Sequence, residues 1–181
     1  MALDSDNVRV AVTGAVYVAP TGTAAPSYSD DALNVAFVDL GYVSSDGISE
    51  SMDKSTTQIR SWQDGSLVRE IISEGTYSVS LTFIETNEDV VNLYYGGTVT
   101  EAGSLNIDPR SSGGRKSFVI DVIDGTNIER TYIAAGEITS VGERTLASGE
   151  AIGYEVTITA YADASEVVAT KLFSAFGSVE P

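Results

Sequence analysis

Thr76-Tyr77-Ser78-Val79-Ser80-Leu81-Thr82-Phe83 decides the fold class. Tyr77, Val79, Leu81 and Phe83 alternate with Thr76, Ser78, Ser80 and Thr82. Such a period of two suits a strand with one face in a core and the other in water. The pattern recurs on both sides of this stretch. Val8, Val10, Val12, Val16 and Val18 share one parity, with Arg9 and Thr13 on the other. Phe118, Ile120 and Val122 alternate around Asp121, and Tyr154, Val156 and Ile158 alternate with Glu155, Thr157 and Thr159. Residues 127–134 and 136–145 are expected to add two more strands. Glycine-containing turns are expected at Glu74-Gly75, Asp124-Gly125-Thr126-Asn127 and Ser148-Gly149-Glu150.

A single helix is expected, over about 87–95. Thr86 and Asp89 fit a capping box, Glu88 adds charge to the first turn, and Val90, Leu93 and Tyr94 recur at helical spacing. Gly96-Gly97 supplies a C-terminal stop. Three stretches read as loops: 19–34 with Pro20, Gly22 and Pro26; the polar 50–66 with the sole tryptophan; and 108–114 with Pro109 and Gly113-Gly114. One short helix among many strands points to a mainly β fold, a sandwich or barrel-like domain over 1–181 with the helix plugging an end.

Composition removes several function classes. The chain has 181 residues, enough for one domain, and 43% hydrophobic residues, enough for a folded core. With no cysteine and no histidine, disulfides, thiolate metal sites and the usual general base are excluded. The formal charge of −16 repels nucleic acid phosphate. Met1-Ala2-Leu3-Asp4-Ser5-Asp6 lacks the basic and apolar regions of a signal peptide, and no apolar run is long enough to span a membrane. A soluble protein made in the cytosol is expected.

The remaining motifs carry no chemistry. Gly113-Gly114-Arg115-Lys116-Ser117 puts Arg115 where a phosphate loop needs glycine, and it leads into a strand pattern. Asp121 with Asp124-Gly125 lacks the other ligand positions of a calcium loop and reads as a hairpin turn. None of the 26 acidic residues is marked as a catalytic pair, and the nine tyrosines read as core or interface residues. No catalytic residue, cofactor or metal is expected.

The segment Ile48–Glu85 carries a family resemblance. It contains Ile48-Ser49-Glu50, then Thr57-Gln58-Ile59-Arg60-Ser61-Trp62-Gln63-Asp64-Gly65, Leu67-Val68-Arg69, and Leu81-Thr82-Phe83-Ile84-Glu85-Thr86. This resembles the major tail (tail tube) proteins of siphophages, especially those of actinobacterial phages. Tyr132-Ile133 and Gly153-Tyr154-Glu155-Val156 fit that family's closing hairpin. The resemblance implies a structural virion protein of the phage tail that forms rings, typically hexamers, stacked into a tube for DNA delivery. Related tubes occur in contractile tails and type VI secretion. The implied partners are further copies of the chain, the tape measure, terminator and tip proteins, and DNA only in transit.

The same resemblance implies a long protruding hairpin, which maps onto 48–73. Ile59, Arg60, Trp62, Gln63 and Arg69 are then candidate inter-subunit contacts, with 50–66 ordered on assembly. Glu50, Asp53, Glu70 and Glu74 are candidate lumen-facing acids. Val68, Glu70, Ile72 and Glu74 share one strand parity, so the Glu70 face is expected to line the channel, while Glu50 and Asp53 have opposite parity. The alternatives are a tail terminator, a type VI-like tube component, a carbohydrate-binding β-sandwich and a carboxylate hydrolase.

Overall fold

The computed structural model describes residues 3–174. Its elements are β1 (Thr13–Pro20), β2 (Val38–Asp39), β3 (Val43–Arg60), β4 (Leu67–Phe83), α1 (Glu88–Tyr95), β5 (Lys116–Asp124), β6 (Asn127–Val141), β7 (Tyr154–Tyr161) and β8 (Thr170–Phe173). All strands belong to one antiparallel sheet in the order β2-β1-β5-β6-β7-β4-β3, and β8 pairs with β6.

The ends of that sheet meet. The Leu40 N–H donates to the Val16 carbonyl at 2.9 Å, and the Tyr42 carbonyl accepts from the Ile84 N–H at 3.0 Å. One stretch of chain thus pairs first with β1 and then with β4, closing a barrel. Its core joins Val16, Val79, Leu81, Phe83, Phe118, Ile120, Ile133, Val156 and Ile158, all fully or nearly fully buried. Helix α1 adds Val90 and Leu93 to the same core. The expected mainly β fold with one short helix is therefore present, and Tyr77–Phe83 carries the alternating burial that its sequence implied.

Several local expectations are corrected. Strand β1 starts at Thr13, so Val8, Val10 and Val12 lie outside it and are exposed. The ladder with β5 runs out at Thr13↔Ile123, and beyond it the Val10 N–H turns to the Asp124 carboxylate at 3.1 Å. Residues 127–141 form one strand, because Gly136 is a close approach and not a break. A Cβ there would lie 2.7 Å from Phe118 and 2.9 Å from Ile158. The helix cap is Asn87, whose side chain accepts from the Val90 N–H at 2.9 Å. Thr86 instead shares a hydrogen bond with the Tyr154 hydroxyl. Gly96 ends the helix at φ 61°, as its sequence suggested. Asn87→Ala is expected to cost about 1 kcal/mol and to lower the melting temperature by roughly 2–4 °C. Thermal melts followed by circular dichroism measure it.

Glu74-Gly75 is not a turn. It lies inside β4, next to a bulge at Ser73 that shifts the register from Ser55↔Glu74 to Thr56↔Ile72. Residues 50–66 are likewise not a loop, since all but the turn at 61–66 are strand. The hairpins at Asp124–Asn127 and the turn at Ser148–Glu150 are found as expected.

Loop 21–37 packs on the outer face of β1, β5 and β6 and encloses an ion pair. Arg130 reaches Asp121 through Nε at 2.7 Å and Nη2 at 2.8 Å, and its Nη1 donates to the Asp31 carbonyl at 2.7 Å. Hydrogen bonding to Asp121 outweighs burial and raises the Arg130 pKa. Both side chains are buried. This two-pronged contact pins the loop to the barrel.

Candidate assembly surface

The paired strands β3 and β4 run far past the barrel. The last pair joining β4 to β7 is Tyr77↔Ala160, and on β4 every residue from Leu67 to Thr76 is exposed. The partner stretch Ser49–Arg60 of β3 is exposed as well. This is the arm expected over 48–73. Its backbone is already paired within one subunit, so assembly has side chains to cover more than a chain to order.

The turn at the arm's end is fastened. The Ser61 hydroxyl donates to Asp64, the Ser66 N–H donates to Asp64 Oδ1 at 3.1 Å, and the Ser61 N–H donates to the Ser66 carbonyl at 2.8 Å. The Ser61 bond, with the Ser66 contacts, holds the Asp64 carboxyl down to about 2. Any stability these bonds give is present above the ordinary carboxylate pKa and lost as pH falls towards 2. Gly65 takes φ 70°, which favours glycine. The turn holds Trp62 out, 96% exposed. Met52, Ile59, Leu67, Val68, Ile71 and Ile72 are exposed along the same arm.

Register sorts the candidate residues onto two faces. Ile48, Glu50, Met52, Lys54, Thr56 and Gln58 continue the barrel's inner face, opposite Leu81, Val79, Tyr77, Gly75, Ile72 and Glu70. Glu70 accepts from the Thr56 hydroxyl at 2.8 Å, and the Arg60 guanidinium donates to Gln58 at 2.9 Å. At the arm's root Glu50 pairs with Lys171 of β8 at 2.8 Å, and Lys171 also bonds Glu129. Burial lowers the Lys171 pKa, but the bonds to Glu129 and Glu50 outweigh it and the net shift is upward. Burial, with the Glu50 charge beside it, pushes Tyr77 up to about 12. Glu50 is therefore tied to the body by a cation.

The other face carries Ser49, Ser51, Asp53, Ser55, Thr57 and Ile59, opposite Ser80, Ser78, Thr76, Glu74, Ile71 and Arg69. The bulge at Ser73 thus puts Glu74 and Glu70 on opposite faces, which corrects the shared parity expected for them. The hydroxyl-rich surface continues across β7 and β6 through Glu155, Thr157, Thr159, Glu137 and Thr139. Ser80 bonds Thr157 at 2.9 Å, and Thr139 bonds Thr159 at 2.7 Å. Sequence reading missed this surface, although the alternating Thr76, Ser78, Ser80, Thr82 and Thr157, Thr159 carried its signal.

Two sheet edges flank the hydroxyl face. Among the described residues, strand β3 pairs only with β4. Beyond Gly136, strand β6 pairs with β7 on one side and, among the described residues, has no strand on the other. Among the described residues, no group of three or more His, Cys, Asp or Glu is placed to hold a metal ion. No helix among them is long and apolar enough to cross a membrane.

The chain is similar to chains in several solved structures. The chain superposes on a subunit of an extracellular contractile injection system sheath-tube complex in its extended state, with TM-score 0.50 and 12% identity, covering 94% of this chain and 93% of that one. It also matches a chain of the anti-feeding prophage tube-terminating cap, with TM-score 0.48 and 12% identity over 96% and 100% of the two chains. A chain of a native gene transfer agent virion matches with TM-score 0.42 and 13% identity over 78% and 92%. No curated protein matches the chain. The sequence profile of the family described as "Phage tail tube protein" matches residues 1–176, and the chain belongs to that family.

Proposed function

We propose that this tail tube protein polymerises by pairing the free β3 edge of one subunit with the free distal β6 edge of the next. The single observation that carries this reading is the pair of open edges on opposite sides of one four-stranded, hydroxyl-rich face. Such contacts between unlike surfaces of identical subunits close into rings or propagate. Paired edges also lose their tendency to aggregate.

Strand spacing admits a hexameric ring. Six subunits contribute about 24 strands at roughly 4.8 Å spacing, a backbone diameter of about 37 Å. Side chains on the inner face take roughly 5 Å from each wall, leaving a lumen of about 27 Å. Four subunits by the same reasoning leave only about 14 Å, too narrow for a DNA duplex. Stacked rings then give a conduit for DNA, with tape measure, terminator and tip proteins as further partners.

The hydroxyl face lines this lumen. Its carboxylates, Asp53, Glu74 and Glu155, repel the phosphate backbone at short range, and its hydroxyls offer no apolar grip. Glu50 and Glu70 lie on the opposite face of the sheet and take no part. Glu74→Lys is expected to assemble and to retain DNA in a salt-dependent way, whereas Glu70→Lys tubes release DNA as the unaltered protein does. Retention on sedimented tubes at low salt separates the two. Equal retention by both variants counts against this assignment of faces. Assembly itself is tested by light scattering across concentration, where growth of the scattering mass is expected.

A further inference from the structure

The outer part of the arm differs sharply in charge from the rest of the chain. From Lys54 to Arg69 the chain holds three cations, Lys54, Arg60 and Arg69, and one carboxylate, Asp64. The rest of the chain holds 7 basic and 25 acidic residues. A cationic tip bearing an exposed tryptophan is thus attached to a strongly acidic body. The arm cannot fold back to use that contrast within one molecule. Eleven residues separate Ser66 from the last body pair at Tyr77, and a paired strand of that length holds the tip about 36 Å away. The complementary surface is therefore on a second copy.

The body offers a site of matching chemistry. A cavity of about 550 Å³ lies between the end of α1, the loop 107–112 and the distal part of β6. Tyr94, Tyr95, Tyr161, Ile107, Pro109 and Val141 line it. The Tyr94 and Tyr95 rings meet edge to face at 4.9 Å, and the Tyr94 hydroxyl donates to the Gly142 carbonyl at 2.8 Å. The wall is thus built before any ligand arrives. Asp108 and Glu137 sit on its rim. Asp108 already meets the exposed Arg110 at 3.1 Å, and Glu137 meets the half-exposed Arg115 at 3.7 Å and accepts from the Ser112 hydroxyl. A carboxylate has about four lone-pair sites, so room remains for an incoming guanidinium. The other large cavities fit less well. The one beside Tyr42 and Gly47 has no charged residue in its wall, and the one beside Phe173 is smaller, about 310 Å³.

We propose that Trp62 of one subunit seats in the Tyr94–Tyr95–Tyr161 cavity of another copy, with Arg60 or Arg69 meeting the rim carboxylates. This rests on the assembly reading above and adds its docking partner. An indole entering a tyrosine- and proline-lined pocket gains offset or edge contacts beyond plain burial. A central aromatic anchor beside desolvated charge is also the usual form of an interface hot spot.

The sequence makes the test clean, since it has one tryptophan and no cysteine. Two full-length variants, Gln63→Cys and Thr139→Cys, are mixed, assembled and oxidised. Cross-linked dimers between the two are expected, while Ser165→Cys in place of Thr139→Cys yields none. Trp62 emission in the unaltered protein is expected to move to the blue on assembly and to lose access to a soluble quencher. Trp62→Ala should keep its fold and raise the concentration needed for assembly roughly 30-fold. Tubes that form with Trp62 still in water, or whose Gln63→Cys links to the Ser165→Cys control and not to Thr139→Cys, overturn this docking and leave the assembly reading standing. A protein that never assembles overturns both.

Discussion

Excising residues 56–73 is expected to leave a folded protein that does not polymerise. Ser55 and Glu74 are cross-strand partners, so a two-residue Asn-Gly turn can join them without strain. None of the excised residues belongs to the core. The melting temperature should therefore stay within a few degrees of the intact chain. The cut removes Ile59, Trp62, Leu67, Val68, Ile71 and Ile72, six of the seven exposed apolar side chains on the arm. It also removes two of the tip's three cations, Arg60 and Arg69. Analytical ultracentrifugation is expected to show a monomer at concentrations where the intact chain forms large species. Large species from the shortened chain would show that the arm is not needed for assembly.

Breaking the buried ion pair is expected to have the largest effect on stability. Asp121→Ala leaves the Arg130 guanidinium buried without its carboxylate, a change that typically costs about 3–5 kcal/mol. For a domain of this size that is a fall of roughly 10 °C in melting temperature. The double variant Asp121→Leu with Arg130→Met removes both charges. It is expected to recover most of the loss, short of about 1 kcal/mol for the Asp31 carbonyl left without its donor. Thermal denaturation of the three proteins decides it. If Asp121→Ala melts with the unaltered chain, the pair does not hold loop 21–37 to the barrel.

Legibility in the sequence followed burial. Tyr77–Phe83 could be read because one face enters the core and the other does not, which writes a period of two into the residues. The arm has the same backbone but no buried face, so Ser49–Arg60 carries no such period and looks like a polar loop. Only the family resemblance marked it as a hairpin. Strand β8 was missed for the related reason that Thr170–Phe173 is four residues long with no fully buried side chain.

The shared parity expected for Glu70 and Glu74 failed on a feature that parity cannot see. One extra residue at Ser73 reverses the faces on either side of it, so Glu70 and Glu74 part company. Asp121 was open to a better reading. The Asp124–Asn127 hairpin fixes the register of β5 against β6, and that register sets Asp121 opposite Arg130. Opposite charges in directly facing positions signal a pair across the sheet. The Asn87 cap was harder, because the choice between Thr86 and Asn87 depends on Tyr154, 68 residues away, taking the threonine hydroxyl.

The central claim is that this tail tube protein builds a hollow conduit from copies of itself. Negative-stain electron microscopy of the purified full-length chain, concentrated without any other tail protein, tests it most directly. Hollow tubes or rings of uniform width, with a stain-filled channel, are the expected result. Particles that stay monomeric at every concentration and salt, with neither rings nor tubes, would contradict it.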